Sequence, residues 1–336
     1  MLRLRDDTRE GSAALGVSTM GKSGRSSEGA SGMRGIIAAA VTPRRAGEST
    51  PDLGALLEVV DFVCSAGVDG TVLFGSTGEF PVFEAVDRAR AVSLAVKRSR
   101  CPVYANVSHA TLDTAILLAE QAADAGAAGV LVMPPVYFRY DQETVREYLA
   151  QMFDTVARWT PVYLYNIPQF TSVIEPKTAA DLLARGFSGI KDSSGSWEYF
   201  EQLIASPCAQ GKSILVGSEM LYVDARAAGA AGAVSGVAAC LPELMVALDR
   251  ALAQGDQARS RALLARVEEF LAWYREFPAP VAIKEAANLR GLKAGVAASP
   301  LGPEKSKRLE EFRCWFGEWH RAVIRECGVS QSRKGA

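Results

Sequence analysis

Histidine is almost missing from this chain of 336 residues, with His109 and His320 the only two. That removes most zinc sites, and any relay in which a histidine activates a nucleophile unless His109 serves alone. His109 precedes Ala110-Thr111-Leu112-Asp113, which reads as a helix start, so a loop or capping role is expected for it. An excess of charge of either sign is missing too. Lys+Arg number 37 and Asp+Glu 38, for a net charge of -1, which leaves no field to gather nucleic acid or an anionic membrane. No apolar stretch reaches the ~18 residues of a membrane-spanning helix. The N-terminus lacks the apolar core of a signal peptide, and Asp6, Asp7 and Glu10 argue against a transit peptide. The six cysteines, Cys64, Cys101, Cys208, Cys240, Cys314 and Cys327, form no close pair in sequence, so free thiols and a cytoplasmic location are the expectation. With 49% hydrophobic and 22% charged residues, the composition is globular and excludes wholesale disorder, collagen and a coiled rod.

Residues 1–33 are rich in Gly, Ser and charge without apolar periodicity and are expected to form a flexible leader, with Met33 a candidate translation start. This leader holds Gly16-Val-Ser-Thr-Met-Gly21-Lys22-Ser23, which satisfies the phosphate-loop pattern. Such a loop works only between a buried strand and a helix N-terminus, and neither flank carries that signal. Nucleotide binding is therefore not expected.

From Gly35 short apolar runs alternate with amphipathic stretches. The runs are Ile36 to Val41, Thr71 to Phe74, Val103 to Val107, Val130 to Met133, Val162 to Tyr165, Gly189 to Lys191, Ile214 to Val216 and Ala233 to Val237. Helical patterns cover Leu53 to Ser65, Phe83 to Lys97, Thr111 to Ala125, Thr144 to Ala157 and Pro176 to Ala184. Near-continuous apolar strands separated by helices predict a parallel sheet covered on both faces. A weak repeat recurs at Ser65 to Phe74, Asp124 to Met133 and Ala227 to Ser235: a glycine suited to a left-handed cap, a second glycine, then a strand. Eight such strands favour a closed (β/α)8 TIM barrel over an open doubly wound sheet. After Leu241 only helical patterns remain. The expected organisation is leader 1–33, barrel 34–240, C-terminal helical region 241–327 and tail 328–336.

In such barrels reacting groups sit at the C-terminal ends of strands. Lys191 closes an apolar strand, where an ammonium is costly and the free amine, able to attack a ketone, becomes accessible. A lysine reaching to solvent or paired with Asp192 is the alternative, although alternation along a strand turns Asp192 to the other face. Tyr165 ends the preceding strand, so its phenol can carry protons beside Lys191, whereas Tyr163 on the same face suits packing. Ser76 and Thr77, between two glycines, offer hydroxyls and close backbone N–H groups as a nest for a carboxylate.

The set Gly75-Ser-Thr-Gly-Glu79, Tyr137, Tyr165-Asn166-Ile167-Pro168 and Gly189-Ile-Lys191-Asp resembles, in order and interval, the dihydrodipicolinate synthase and N-acetylneuraminate lyase family of Schiff-base barrel enzymes. The resemblance runs from about residue 33 to 325. It implies that Lys191 forms an imine with pyruvate or another 2-oxo acid and that Tyr165 is the acid/base. It further implies that Thr77 and Tyr137 relay protons to Tyr165, with Tyr137 entering from a neighbouring subunit, and that Ser76 and Thr77 hold the 2-oxo acid carboxylate. A homotetramer built as a dimer of dimers follows from the same resemblance, as does chemistry needing no metal or organic cofactor.

Departures bear on the second substrate. True dihydrodipicolinate synthases carry an arginine five residues after the acid/base tyrosine, where this chain has Phe170, and loss of a bidentate fork weakens binding of aspartate semialdehyde. Arg139 is the cation expected to compensate if any does. Sialic acid lyases use two acidic residues after the seventh strand, where Gly217-Ser218-Glu219-Met220 offers only Glu219. The chain is closer to the 4-hydroxy-2-oxoglutarate and 2-keto-3-deoxy-sugar-acid aldolases, with Ser193, Gly217 and Ser218 lining the second substrate's pocket. The expected activity is a lyase that cleaves or forms a 2-oxo-4-hydroxy acid from pyruvate and an aldehyde. A 4-hydroxy-tetrahydrodipicolinate synthase, a deoxy-sugar-acid dehydratase and a non-catalytic scaffold are the alternatives.

Overall fold

The computed structural model describes residues 32–328. The leader up to residue 31, with its phosphate-loop match, and the tail from 329 lie outside the described residues. Met33 belongs to the folded part: its side chain is buried and its N–H donates to the Tyr163 hydroxyl at 3.1 Å.

Eight parallel strands close into a barrel in sequence order: β1 (Gly35–Ala39), β2 (Gly70–Leu73), β3 (Val103–Asn106), β4 (Gly129–Val132), β5 (Val162–Asn166), β6 (Gly189–Asp192), β7 (Ser213–Val216) and β8 (Gly232–Ser235). The open-sheet alternative is thereby removed. Nearly every strand residue is buried, as expected where the barrel core fills one face and helices cover the other. Helices α1 (Leu53–Ser65), α2 (Ala85–Arg98), α3 (Leu112–Ala125), α4 (Gln142–Val156), α5 (Pro176–Arg185), α6 (Trp197–Ala205) and α7 (Tyr222–Ala227) alternate with them. Helix α1 starts where Asp52 accepts from the Ala55 N–H, and α4 starts on Asp141 in the same way. His109 serves the N-terminus of α3 as expected, its Nδ1 accepting from the Thr111 N–H at 3.2 Å.

The repeated glycines have two jobs. Gly67, Gly126 and Gly229 adopt φ of +88°, +89° and +100°, which L side chains rarely tolerate. The second glycine of the last repeat, Gly232, faces the backbone of Gly35, and a Cβ there would stand 2.0 Å from the Gly35 carbonyl oxygen. Strands β1 and β8 close the sheet at this point, pairing Gly35 with Gly232.

Four further helices follow: α8 (Pro242–Ala253), α9 (Gln257–Tyr274), α10 (Val281–Leu289) and α11 (Pro303–Glu326). Helix α8 packs against β1 and belongs to the outer ring, so the helical extension proper is α9 to α11. Phe270, Phe312 and Phe316 are buried where α9 and α11 meet, with Trp319 stacked on Phe270 and Trp315, and Trp273 tilted against Trp315.

The expectation of six free thiols fails at Cys64 and Cys101, which form a disulfide with Cα atoms 5.7 Å apart. Cys64 ends the pattern of α1 and Cys101 lies just before β3, and packing of successive βα units brings these ends together despite a sequence separation of 37. The thiol argument for a reducing compartment therefore rests on Cys208, Cys240, Cys314 and Cys327 alone. Among the described residues no helix is long and apolar enough to cross a membrane.

Candidate active site

A cavity of about 420 Å³ opens at the C-terminal ends of the strands. Lys191 and Tyr165 meet in it because β5 and β6 pair in a register that sets them side by side. The Lys191 Nζ lies 4.0 Å from the centre of the Tyr165 ring, and Lys191 is only 4% exposed. A phenol ring is the only partner found for this cation among the described residues, so its charge is stabilised by the ring face and by no carboxylate. Asp192 points to the opposite face, as strand alternation requires. There it accepts from Asn166 Nδ2 at 2.8 Å, from the Ser194 N–H at 3.1 Å and from Ser194 Oγ at 2.8 Å. Burial pushes the Asp192 carboxyl above its usual range, against those three hydrogen bonds, which favour the anion. Lys191 is thus not neutralised by its sequence neighbour.

The hydroxyl that touches Tyr165 is that of Ser76, with Oγ 3.0 Å from the phenol oxygen. Thr77, expected in that relay, lines the same cavity but makes no side-chain hydrogen bond to Tyr165. In this loop the backbone of Phe74 and Glu79 adopts left-handed φ values of 56° and 51°. Ser193, Gly217 and Ser218, expected around the second substrate, also line this cavity. Gly217 supplies room: a Cβ there would stand 2.0 Å from Ser193 Oγ and 3.1 Å from Lys191 Cε. Tyr163, by contrast, is a packing residue set edge-on against Tyr104.

Tyr137 does not reach the cavity of its own chain. It is 86% exposed, at φ 83°, with its ring edge-on to the exposed Phe138. Arg139 does not line the cavity either, and donates to the Pro168 carbonyl at 3.1 Å. Phe170 is 58% exposed and lines the cavity mouth.

Several residues that sequence reading left unassigned reach the site from the helical extension. Leu271, Tyr274 and Arg275 at the end of α9, Ala279, and Ile283 of α10 complete the wall. Nothing in a helical pattern marks which turn will cap a barrel mouth, so no signal announced them. Glu219 also lines the cavity, with Oε1 accepting from Ser235 Oγ at 2.7 Å and from the Val237 N–H at 3.0 Å. The Tyr274 phenol is pushed up to about 12, first by burial and then by the nearby Glu219 and Tyr165.

The loop carrying Ser76 is tied to the extension by an ion pair between Glu79 and Lys284 of α10, both buried. Glu79 Oε1 also accepts from the Ala298 N–H at 2.8 Å, and Lys284 Nζ donates to the Val296 carbonyl at 3.0 Å. Desolvation lowers the Lys284 pKa, opposed by the Glu79 charge.

Residues 32–315 match the dihydrodipicolinate synthetase family. A DapA-like lyase of Chloroflexus aurantiacus is 35% identical over 71% of this chain and 81% of its own length. A 4-hydroxy-tetrahydrodipicolinate synthase of Methanococcoides burtonii is 28% identical over 80% and 92%. Among solved structures, YagE of Escherichia coli, a protein of the dihydrodipicolinic acid synthase family crystallised with pyruvate, superposes with a TM-score of 0.77 at 26% identity, covering 89% of this chain and 99% of that one. This chain belongs to the dihydrodipicolinate synthetase family. It is accordingly a class I lyase or aldolase built on a TIM barrel.

The buried pair generates a stability test. Lys284→Met leaves the Glu79 carboxylate buried without its cation and is expected to cost about 3–5 kcal/mol in denaturant unfolding. A cost below about 1 kcal/mol would show that the hydrogen bond from Ala298 alone holds the loop.

Proposed function

We propose that the chain cleaves, and in reverse forms, a 2-oxo-4-hydroxy acid through a pyruvate imine on Lys191. The observation that carries this reading is the buried Lys191 amine against the Tyr165 ring, with the Tyr165 hydroxyl bonded to Ser76. Lys191 attacks the ketone of the substrate and water leaves, giving an iminium. Tyr165 takes the proton of the 4-hydroxyl, the bond between C3 and C4 breaks, and its electron pair enters the iminium to give an enamine while the aldehyde departs. Protonation of the enamine at C3 and hydrolysis release pyruvate and restore Lys191. The iminium is the electron sink, so the reading requires no metal or organic cofactor. Ser76 and Thr77 hold the carboxylate beside the ketone, and Ser76 passes protons to Tyr165. Ser193 and Ser218 face the aldehyde half.

The same reading makes the active assembly a tetramer, a dimer of dimers in which the exposed Tyr137 of one chain enters the site of its neighbour. Support for this lies in the outward placement of Tyr137 against Phe138, with Tyr140 and Phe170 exposed as well. The synthase alternative keeps the imine and changes the partner to aspartate semialdehyde. Phe170 counts against it, since a phenyl ring cannot replace an arginine fork.

Borohydride reduction in the presence of pyruvate is expected to attach one pyruvyl group per chain, at Lys191. Label at another lysine, or none, removes the mechanism. Tyr165→Phe should change stability by only about 1 kcal/mol yet lower kcat on the order of 10²-fold. Ser76→Ala should lower kcat about tenfold or more, whereas Thr77→Ala should act mainly on the KM for the 2-oxo acid. Equal kcat losses at positions 76 and 77 would return the relay role to Thr77. Condensation of pyruvate with aspartate semialdehyde should run roughly two orders of magnitude below pyruvate release from the preferred hydroxy acid. Comparable rates would return the chain to the synthase branch.

A further inference from the structure

The cavity wall holds two cationic side chains, Lys191 and Arg275. The imine reaction uses the first and gives the second no task. Arg275 caps the C-terminus of α9, outside the barrel, and its side chain is largely exposed to the cavity side and solvent. Among the described residues it forms no salt bridge, although its neighbour Glu276 pairs with Arg308. Glu219 is the one carboxylate in the wall, and it is engaged by Ser235 and Val237 rather than by Arg275. Among the described residues the guanidinium of this exposed wall residue is therefore engaged by no carboxylate.

Tyr274, its neighbour in sequence, and Ser193 and Ser218 bring hydroxyls to the same wall. The two cations also have different neighbours. Lys191 sits at the end of β6 next to the Ser76 loop, where the ketone and its own carboxylate belong. Arg275 comes from the helix that packs on the turn after β7, so it meets the half of the substrate that leaves as the aldehyde.

We propose that Arg275 selects the second half of the substrate by taking a carboxylate borne on, or one carbon beyond, the carbon that carries the 4-hydroxyl, so that the substrate is a 2-oxo-4-hydroxy dicarboxylate. The proposal rests on the imine reading and adds to it the charge of the aldehyde fragment. A planar guanidinium grips a carboxylate through two parallel hydrogen bonds, and a methyl group in the same place gains nothing from it. With the apolar Phe170 and Met220 also in the wall, Arg275 is the group there able to discriminate an anionic from a neutral aldehyde.

The test compares 4-hydroxy-2-oxoglutarate with 4-hydroxy-2-oxopentanoate, which replaces the distal carboxylate by a methyl group, using the full chain and following pyruvate release. The wild type is expected to favour the dicarboxylate in kcat/KM by about 10²-fold, and R275M to lose most of that ratio through a higher KM for the dicarboxylate. R275K, which keeps the charge without the fork, should recover part of it. Equal use of both substrates by the wild type, or an equal fall for both in R275M, overturns the proposal. Borohydride trapping of pyruvate separates this from the underlying reading: label at Lys191 without charge discrimination overturns only the role of Arg275, and absence of label overturns the imine and the proposal together. Condensation with aspartate semialdehyde that is lost in R275M overturns the proposal, because that carboxylate is borne two carbons beyond the aldehyde carbon.

Discussion

Closure of the sheet between β1 and β8 is the constraint on which the site depends. Two backbones approach there so closely that Gly232 has no room for a Cβ beside the Gly35 carbonyl. Once the eighth strand pairs with the first, no edge is left open, and the helical crossovers between successive strands keep all eight parallel around one axis. All eight C-terminal ends then converge on one mouth. A residue at the end of any strand becomes a neighbour of residues far away in sequence, and Ser76 meets Tyr165 across 89 positions. The register of β5 on β6 does the finer work, because a one-residue slip would turn either Tyr165 or Lys191 to the outer face.

The helical extension is part of this site and not an ornament on it. Its end of α9 supplies wall, and its α10 supplies Lys284, whose buried contact with Glu79 fixes the far end of the Ser76 loop. A buried ion pair is a poor source of net stability, since desolvation offsets most of the attraction. It is a good source of specificity of placement, because either charge left alone in the interior is strongly unfavourable. The loop therefore has one position in which Glu79 is satisfied, and that position turns the Ser76 hydroxyl to the phenol.

The barrel was legible because its strands are buried on both faces and so read as unbroken apolar runs. The repeated glycines announced the joints between α1 and β2, α3 and β4, and α7 and β8 for reasons that the φ values bear out. Helix α1 spans the predicted residues to the last one, since Asp52 caps it and an amphipathic pattern fills it. Helices α6 and α7 escaped, being nine and six residues long, too short for a period to assert itself. Lys191 and Tyr165 were legible as polar groups closing apolar strands. That Ser76 is the hydroxyl touching Tyr165 was not, because Ser76 and Thr77 are adjacent hydroxyls that local pattern does not tell apart. The Cys64–Cys101 pair and the approach of Tyr274 and Arg275 were hidden for a common reason: both are contacts between elements distant in the chain, and local pattern carries no record of them.

What the arrangement does to a single amine follows from where the nearby carboxylates go. Three acidic groups lie close to the mouth, and each is engaged elsewhere: Asp192 by Asn166 and Ser194 on the outer face, Glu79 by Lys284, and Glu219 by Ser235 and the Val237 backbone. A free carboxylate beside Lys191 would stabilise the ammonium and withhold the electron pair that attack on a ketone needs. The π face of Tyr165, 4.0 Å from the Lys191 Nζ, orients the amine in place of an anion. Each of those acids thus has a partner that would be stranded by its removal, and none of the three is turned to the Lys191 amine.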